Sequence, residues 1–218
     1  MTNKRIRLLL KNKRLEMSIK DRDSGSYLIE KQLYFWIKNT AAEEYEAGNI
    51  IQIATFWPMP LEPKIVSLNH RLSKLDNVKL SLPVTNDLDK YIEFKEWNPS
   101  IAMIRGRYGI LEPSSSSIVA QPHIILVPTL GYSNNGDRIG YGSGYYDRKL
   151  SELINQKYKF ITIGIAWDQG LIKEPYKAAK HDIKLDAIIS PKGWVKEPPK
   201  ITNLFDNIKN RISSRLAI

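Results

Sequence analysis

A chain of 218 residues with 42% hydrophobic side chains is long enough for one α/β domain that buries roughly 70% of its unfolded surface. It has no cysteine and three histidines, which excludes disulfides, thiolate metal sites and cysteine nucleophiles and argues against a histidine-built metal cage. Lysine and arginine number 33 against 23 acidic residues, a formal charge of +10 that favours anions of any kind, nucleotides and nucleic acid among them.

From the N-terminus, residues 3 to 19 place Ile6, Leu9 and Leu10 against a lysine- and arginine-rich face, the pattern of a basic amphipathic helix. The opening MTNKRIRLLLKNKR breaks its apolar run with lysine, so it lacks a signal-peptide core, and no run elsewhere reaches membrane length. A soluble, cytoplasmic protein is expected. Asp23 or Ser24 is a candidate cap for a second, longer helix that closes at Gly48 and Asn49. NIIQIATFW then reads as a strand, PLEPKIVSLNHRLSKL as a helix and VKLSLPV as a strand. YIEFKEW at 91 to 97 alternates cleanly and suits an edge or antiparallel strand, followed by a long connection through GRYGILEPSSSS. HIILVP, KFITIGIAW and LDAIIS are further apolar strands. This alternation predicts a mostly parallel sheet covered on both faces, with ligands at the carboxyl ends of its strands. KGWVKEPPK leads into FDNIKNRISSRL, read as a short basic helix in a C-terminal extension over 191 to 218.

The most informative stretch is GDRIGYGSGYYDRKL, residues 136 to 150. Gly140, Gly142 and Gly144 permit positive φ and close approach of an anion to backbone N–H groups. From Tyr145 the apolar side chains of Tyr146, Leu150, Leu153 and Ile154 follow helical spacing, so the glycines run into a helix N-terminus just after the HIILVP strand. Free N–H groups and the helix dipole both favour phosphate there. The pattern is neither GxxxxGK[ST] nor GxGxxG, and on local pattern alone a flexible loop stays open as the alternative.

LVPTLGYSNNGDRIGYGSGYYDRKL resembles the signature of the 5-formyltetrahydrofolate cyclo-ligase family, also called 5,10-methenyltetrahydrofolate synthetase. Further matches follow in order: a basic N-terminal helix with Lys4 and Arg7, FWPMPLE at 56 to 62, GILEP at 109 to 113 and HDIKLDAII at 181 to 189. The likeness covers residues 4 to 190, and a catalytic domain over 1 to 190 is expected. It implies a three-layer α/β/α fold of the NagB/RpiA/CoA-transferase kind. It also implies ATP-driven closure of 5-formyltetrahydrofolate to 5,10-methenyltetrahydrofolate, giving ADP and phosphate, with Mg2+ as cofactor. In the mechanism this carries, ATP phosphorylates the formyl oxygen, N10 attacks the activated carbon, and phosphate leaves as the ring closes. Positioning and charge stabilisation then matter more than a protein nucleophile.

The resemblance assigns roles residue by residue. Arg138 and the run Ile139, Gly140, Tyr141, Gly142, Ser143, Gly144, Tyr145 and Tyr146 are expected to hold ATP, with Lys4 and Arg7 folding over it. Arg138 and Tyr145 are the expected catalytic residues. Trp57, Glu62 and the loop from Gly142 to Tyr145 are expected to bind the folate, Trp57 as a flat wall and Glu62 as an acceptor for pterin N–H groups. Asp147 and Asp186 are the expected Mg2+ carboxylates. His181 is left out as a structural residue.

Departures from the signature are also visible. Asn3 stands where a lysine four before Arg7 is usual, with Lys4 displaced by one. Tyr132–Ser133 replaces Phe-Asp, leaving Asp137 or Asn134 to substitute for the lost carboxylate, and Ser143 removes a phosphate cation. The expected partners are the two small-molecule substrates, with no membrane, no nucleic acid and a monomeric chain. An RNA-binding module on the same fold, or an ATP-dependent ligase for another substrate, are the alternatives.

Overall fold

The computed structural model describes residues 2–86, 91–114, 117–173, 176 and 182–201. The chain opens with α1 (Asn3–Leu15), capped by the Thr2 side chain, with Lys13 and Arg14 in its last turn facing the negative end of the helix dipole. The next helix, α2 (Ile19–Glu46), starts earlier than the sequence pattern suggests. Its cap is Ser18, whose Oγ accepts from Asp21 N at 3.0 Å and donates to Asp21 Oδ2 at 2.7 Å. Gly25 sits inside this helix because a Cβ there would lie 2.7 Å from the Trp167 ring. Helix and sheet meet at that glycine.

After β1 (Ile51–Ala54) the expected helix over 60–75 shrinks to α3 (Val66–Leu72). Pro58, Pro60 and Pro63 keep the preceding segment out of helical geometry, and Leu61 takes φ 69°. That irregular segment carries Trp57 and Glu62. Two strands follow, β2 (Val78–Asn86) and β3 (Tyr91–Trp97), which pair antiparallel as the alternation of YIEFKEW predicts. The long connection is partly ordered into the hairpin β4 (Met103–Arg105) and β5 (Leu111–Pro113).

The remaining elements are β6 (Ile124–Pro128), the small hairpin β7 (Gly131–Tyr132) and β8 (Arg138–Ile139), α4 (Tyr145–Asn155), β9 (Ile161–Ile165), β10 (Ala187–Ser190) and β11 (Gly193–Lys196). The central sheet has the order β11-β10-β9-β6-β1-β2-β3. Its inner strands are parallel and both edge strands antiparallel. Residues 193–196, read from sequence as part of an extension, therefore complete the sheet as an edge strand. The basic C-terminal helix lies outside the described residues.

Alternation along the strands creates two cores. Ile124 and Leu126 of β6 point into the cluster built with α2 and α3, while Ile125 and Val127 join Leu150 and Leu153 of α4 on the other face. This is the expected three-layer arrangement. Each of these side chains contributes about 1.5–3 kcal/mol by leaving water, so the sheet is the rigid reference for everything at its ends. A third, smaller cluster seats Ile6 and Leu10 of α1 on Leu130 and Ile139. Among the described residues no helix is long and apolar enough to cross a membrane.

Candidate active site

The carboxyl ends of β1 and β6 open into one cavity of about 1080 Å³. On one side the chain leaves β8 and passes through Gly140, Gly142 and Gly144 into α4. Gly142 has φ 107° and Gly144 has φ 70°, conformations that penalise any residue with a Cβ by about 1–2 kcal/mol. Gly144 is the N-cap of α4 and offers no side chain, so the first-turn N–H groups are not claimed by a side-chain cap. These N–H groups carry the positive end of the helix dipole towards the cavity.

Arg138 is almost fully buried beneath this loop. Its Nη2 donates to Asp147 Oδ1 at 2.5 Å, an ion pair whose side chains are 5% and 19% exposed. Its Nε has no partner. Packing of Gly140 against the guanidinium leaves no room for a Cβ, which would lie 2.6 Å from Nη1. From the opposite side α1 closes over the loop: Arg7 Nε donates to Gly140 O at 3.0 Å, and the Arg7 guanidinium lies against Gly142. Lys11, one turn along, lines the same cavity, with Nζ 5.7 Å from the Tyr141 ring centre. Two of the chain's cations thus face the loop from a helix far away in sequence.

The other side of the cavity is formed by the proline-rich segment after β1. Trp57 is half-buried and meets Trp97 edge-on, with ring centres 6.2 Å apart. Glu62 is buried. Its Oε2 accepts from Met59 N at 2.7 Å, while Oε1 makes no hydrogen bond of normal geometry. Burial pushes its pKa above the ordinary 4.5, partly offset by the Met59 N–H, by the Arg14 guanidinium and by the Tyr141 hydroxyl that faces it. Leaving a buried carboxylate oxygen unmatched costs about 1–3 kcal/mol, which a ligand bearing N–H donors recovers. The neighbouring Tyr146 hydroxyl is likewise buried without a partner, and burial beside Glu62 pushes its pKa up. Both groups border the cavity without a protein partner.

The cavity gathers Arg7, Trp57, Glu62, Arg138, Gly140, Tyr141, Gly142, Ser143, Gly144, Tyr145, Tyr146 and Asp147, which the sequence proposes from three separate segments. Three expected residues are not brought there. Lys4 is exposed and borders a smaller groove beside α1. Ile139 turns its side chain into the core beneath α1. Asp186 stands at the amino end of β10, where its Oδ2 accepts from Thr162 N at 2.8 Å and from Thr162 Oγ1 at 2.9 Å. Parallel strands put their amino ends opposite the ligand, so a carboxylate just before β10 faces the wrong way for the cavity. Asp182, four residues earlier in the same HDIKLD segment, does line it. Spacing within that segment, two acidic residues with one close to a strand start, held the information needed to choose. His181 lies outside the described residues.

Sequence reasoning also missed Glu112, which lines the cavity from β5. It is buried, and its Oε1 accepts from Thr85 N at 3.2 Å and from Thr85 Oγ1 at 2.6 Å, bolting the β4–β5 hairpin to β2. Its place in GILEP was visible; the pairing with Thr85 was not. The departure at Ser133 is absorbed locally, since its Oγ donates to Asp137 Oδ2 at 2.8 Å and accepts from Asn135 N and Asp137 N, both at 3.2 Å. The turn before Arg138 is therefore held without a carboxylate at 133.

A cleft at the carboxyl ends of a mostly parallel sheet, with a glycine loop at a helix N-terminus and buried arginine beside it, defines an α/β protein whose large cavity lies where this class of fold carries its ligand sites. The description of the 5-formyltetrahydrofolate cyclo-ligase family matches residues 2–191, and the chain belongs to that family. A 5-formyltetrahydrofolate cyclo-ligase of Mycolicibacterium smegmatis is 26% identical over 148 residues, 64% of this chain and 73% of that protein. The Escherichia coli K12 protein of the same name is 30% identical over 106 residues, 46% of this chain and 57% of its own length. In three dimensions the chain is similar to the 5,10-methenyltetrahydrofolate synthetase of Aquifex aeolicus, with TM-score 0.69 and 21% identity over 91% of this chain and 95% of that one. It is also similar to that of Mycoplasma pneumoniae, with TM-score 0.67 and 22% identity over 88% and 99% of the two chains. The two structural likenesses define the fold.

Proposed function

We propose that this chain converts 5-formyltetrahydrofolate to 5,10-methenyltetrahydrofolate at the expense of ATP, releasing ADP and phosphate. The observation that carries this reading is the shared cavity: the glycine loop with Arg138 and Arg7 faces the same space as Trp57 and the unmatched oxygen of Glu62. A nucleotide phosphate chain and a heterocycle with N–H donors have complementary surfaces within reach of each other.

In this reading the pterin lies against Trp57 and donates to Glu62. The ATP phosphates lie on the N–H groups after Gly140, beneath Arg7 and beside Arg138. The formyl oxygen attacks the γ-phosphorus, ADP leaves, N10 adds to the activated carbon and gives up its proton, and the C–O bond breaks with phosphate as leaving group, carrying that proton as hydrogen phosphate. The protein's contribution is orientation and stabilisation of charge on the transferring group, worth about 10²–10³-fold for a well-placed donor. Arg138 suits that task because Asp147 fixes its plane while its buried Nε makes no hydrogen bond.

The donor set near the phosphates fits a hard divalent cation. Among the described residues no cluster of three or more His, Cys, Asp or Glu side chains can enclose a metal. Mg2+ needs none, since one or two carboxylates with water and phosphate oxygens complete its octahedron. Asp147 and Asp182 are the residues proposed to hold it, and it would neutralise charge on the phosphates.

The test is the absorbance of the methenyl product on mixing protein, 5-formyltetrahydrofolate, ATP and Mg2+. An ATP-dependent rise is expected. Its absence, with ATP binding intact, overturns the choice of substrate.

A further inference from the structure

Arg14 has no part in the function just proposed, yet it is among the most buried charges of the molecule, with 3% of its surface exposed. It sits in the last turn of α1. Its Nη1 donates to the Tyr141 hydroxyl and its Nη2 to Thr129 O, each at 2.5 Å, and its Nε is unpartnered. Both bonds go to neutral oxygens. A guanidinium stripped of water and given only neutral acceptors needs a negative charge nearby, and Glu62 supplies it: Arg14 and Tyr141 both act on that carboxylate.

The chemistry of the hydroxyl gives a direction. A tyrosine hydroxyl has one proton, and the Tyr141 oxygen already accepts from Arg14, so its own proton is left to turn towards the Glu62 carboxylate, which lines the same cavity and whose Oε1 has no settled partner. Polarisation by the guanidinium strengthens that donation. We propose that Arg14 and Tyr141 are positioning residues for Glu62, a relay from α1 through the glycine loop that keeps the buried carboxylate ionised and turned to the cavity. This inference rests on the reading of Glu62 as the folate acceptor. Tyr141 then has two faces: its backbone belongs to the phosphate loop and its side chain to the folate site. The helix that closes over the nucleotide with Arg7 also braces the substrate carboxylate with Arg14.

The groups facing Glu62 are Arg14 from α1, Tyr141 from the glycine loop, Tyr146 from α4 and the Met59 N–H from its own segment. Arg14 and Tyr141 oppose the effect of burial. Removing either leaves burial less compensated, so the carboxylate takes up a proton at higher pH, and a protonated Glu62 loses part of its capacity to accept.

The experiment is equilibrium binding of 5-formyltetrahydrofolate without ATP, from pH 5.5 to 8.5, to wild type, Tyr141→Phe, Arg14→Met, Glu62→Gln and Glu62→Gln/Tyr141→Phe. For Tyr141→Phe and Arg14→Met the dissociation constant is expected to rise about tenfold at neutral pH, and the acid limb to move up by about one pH unit. In the Glu62→Gln background Tyr141→Phe is expected to add less than about twofold, since the group it braces is gone. Tyr141→Phe removes one oxygen and keeps the ring, so the test survives if Arg14→Met fails to fold. Wild-type binding with an unmoved limb in Tyr141→Phe, or equal losses with and without Glu62, overturns the relay. A wild type that does not bind the folate overturns the functional reading itself.

Discussion

The two ends of the central sheet are made from the same strands and treat polar groups in opposite ways. At the carboxyl end, Glu62 Oε1, Arg138 Nε and the Tyr146 hydroxyl are buried, unmatched and grouped around one cavity. At the amino end, Asp186 is tied to Thr162 by side-chain and backbone bonds, and His123 Nδ1 accepts from Gln52 N at 3.0 Å. The amino end ties these groups into the fold, with Gln52 Oε1 the exception that is buried and unmatched there. The carboxyl end leaves them unmatched around a cavity, at a cost in stability that the two apolar cores offset.

The largest effect that would break this contrast is expected at Arg138. Arg138→Ala removes the cation beside the glycine loop and leaves Asp147 without its partner. Methenyl formation should fall about 10²–10³-fold. Because the pair is largely buried, thermal unfolding should also report a loss on the order of 3–5 kcal/mol. A variant with near-normal turnover would mean that the loop does not meet the reacting phosphate.

Glu62→Gln should separate function from stability. Folate affinity is expected to fall by about tenfold or more as the acceptor is neutralised. Its effect on the fold has two parts. A carboxyl group whose folded pKa is raised above 4.5 favours the native state only while protonated, and that contribution is lost as pH rises from 4.5 through the folded value. Glutamine does not titrate, so this loss should vanish in the variant, while Arg14, deprived of its counter-charge, adds a cost that does not vary with pH. Denaturant titration at several pH values separates the two; a stability that still falls from pH 4.5 to neutrality as in the wild type would show that Glu62 is not the titrating group.

Which parts of this contrast could be read in the sequence follows from how far apart the interacting residues lie. The glycine loop and the helix after it are local, so Gly140 to Asp147 could be placed from their own order. The central strands were legible because apolar runs such as IILVP and ITIGI depend only on burial. Two of the missed features depend on partners distant in sequence. Arg14 looks like one more cation on a basic helix until Tyr141 and Thr129 are folded against it, more than a hundred residues away. Glu112 gains meaning from Thr85. The strand β11 has its partner β10 next to it in the chain and was missed for another reason: GWVK is half-buried throughout and shows neither an apolar run nor alternation. Asp186 misleads because charge type does not say at which end of a strand a residue stands; its neighbour Asp182 has the same chemistry and the right end.

Asp186→Ala tests that last distinction with a smaller effect. It deletes an acceptor for Thr162 N and Oγ1, and should cost about 1–3 kcal/mol of stability. Turnover of the folded variant should stay within about twofold of wild type, because the sheet separates this carboxylate from the cavity. Assays at saturating Mg2+ and at a tenfold lower concentration check it. A rise in Mg2+ requirement would return Asp186 to the metal site.

The smallest expected effect is a pH dependence whose sign is opposite at the two ends. His123, at the amino end, has its pKa lowered from 6.5 by burial, and its Nδ1 is already an acceptor for the Gln52 N–H. Well above pH 6.5 it is neutral in both folded and unfolded chains and contributes no pH dependence. Below that value the unfolded chain takes a proton that the folded one resists, so stability falls as pH drops, by at most about 1.4 kcal/mol per unit. Glu62 acts against this trend, gaining stability as pH drops, so the two must be measured apart. In a Glu62→Gln background the melting temperature should decline more steeply between pH 7 and 5.5, and adding His123→Asn, whose side-chain oxygen can accept from Gln52 N, should flatten the curve. An unchanged slope after both substitutions would place the titrating group elsewhere. The amino end would then lose its claim to be the part of the sheet where polar groups work for the fold.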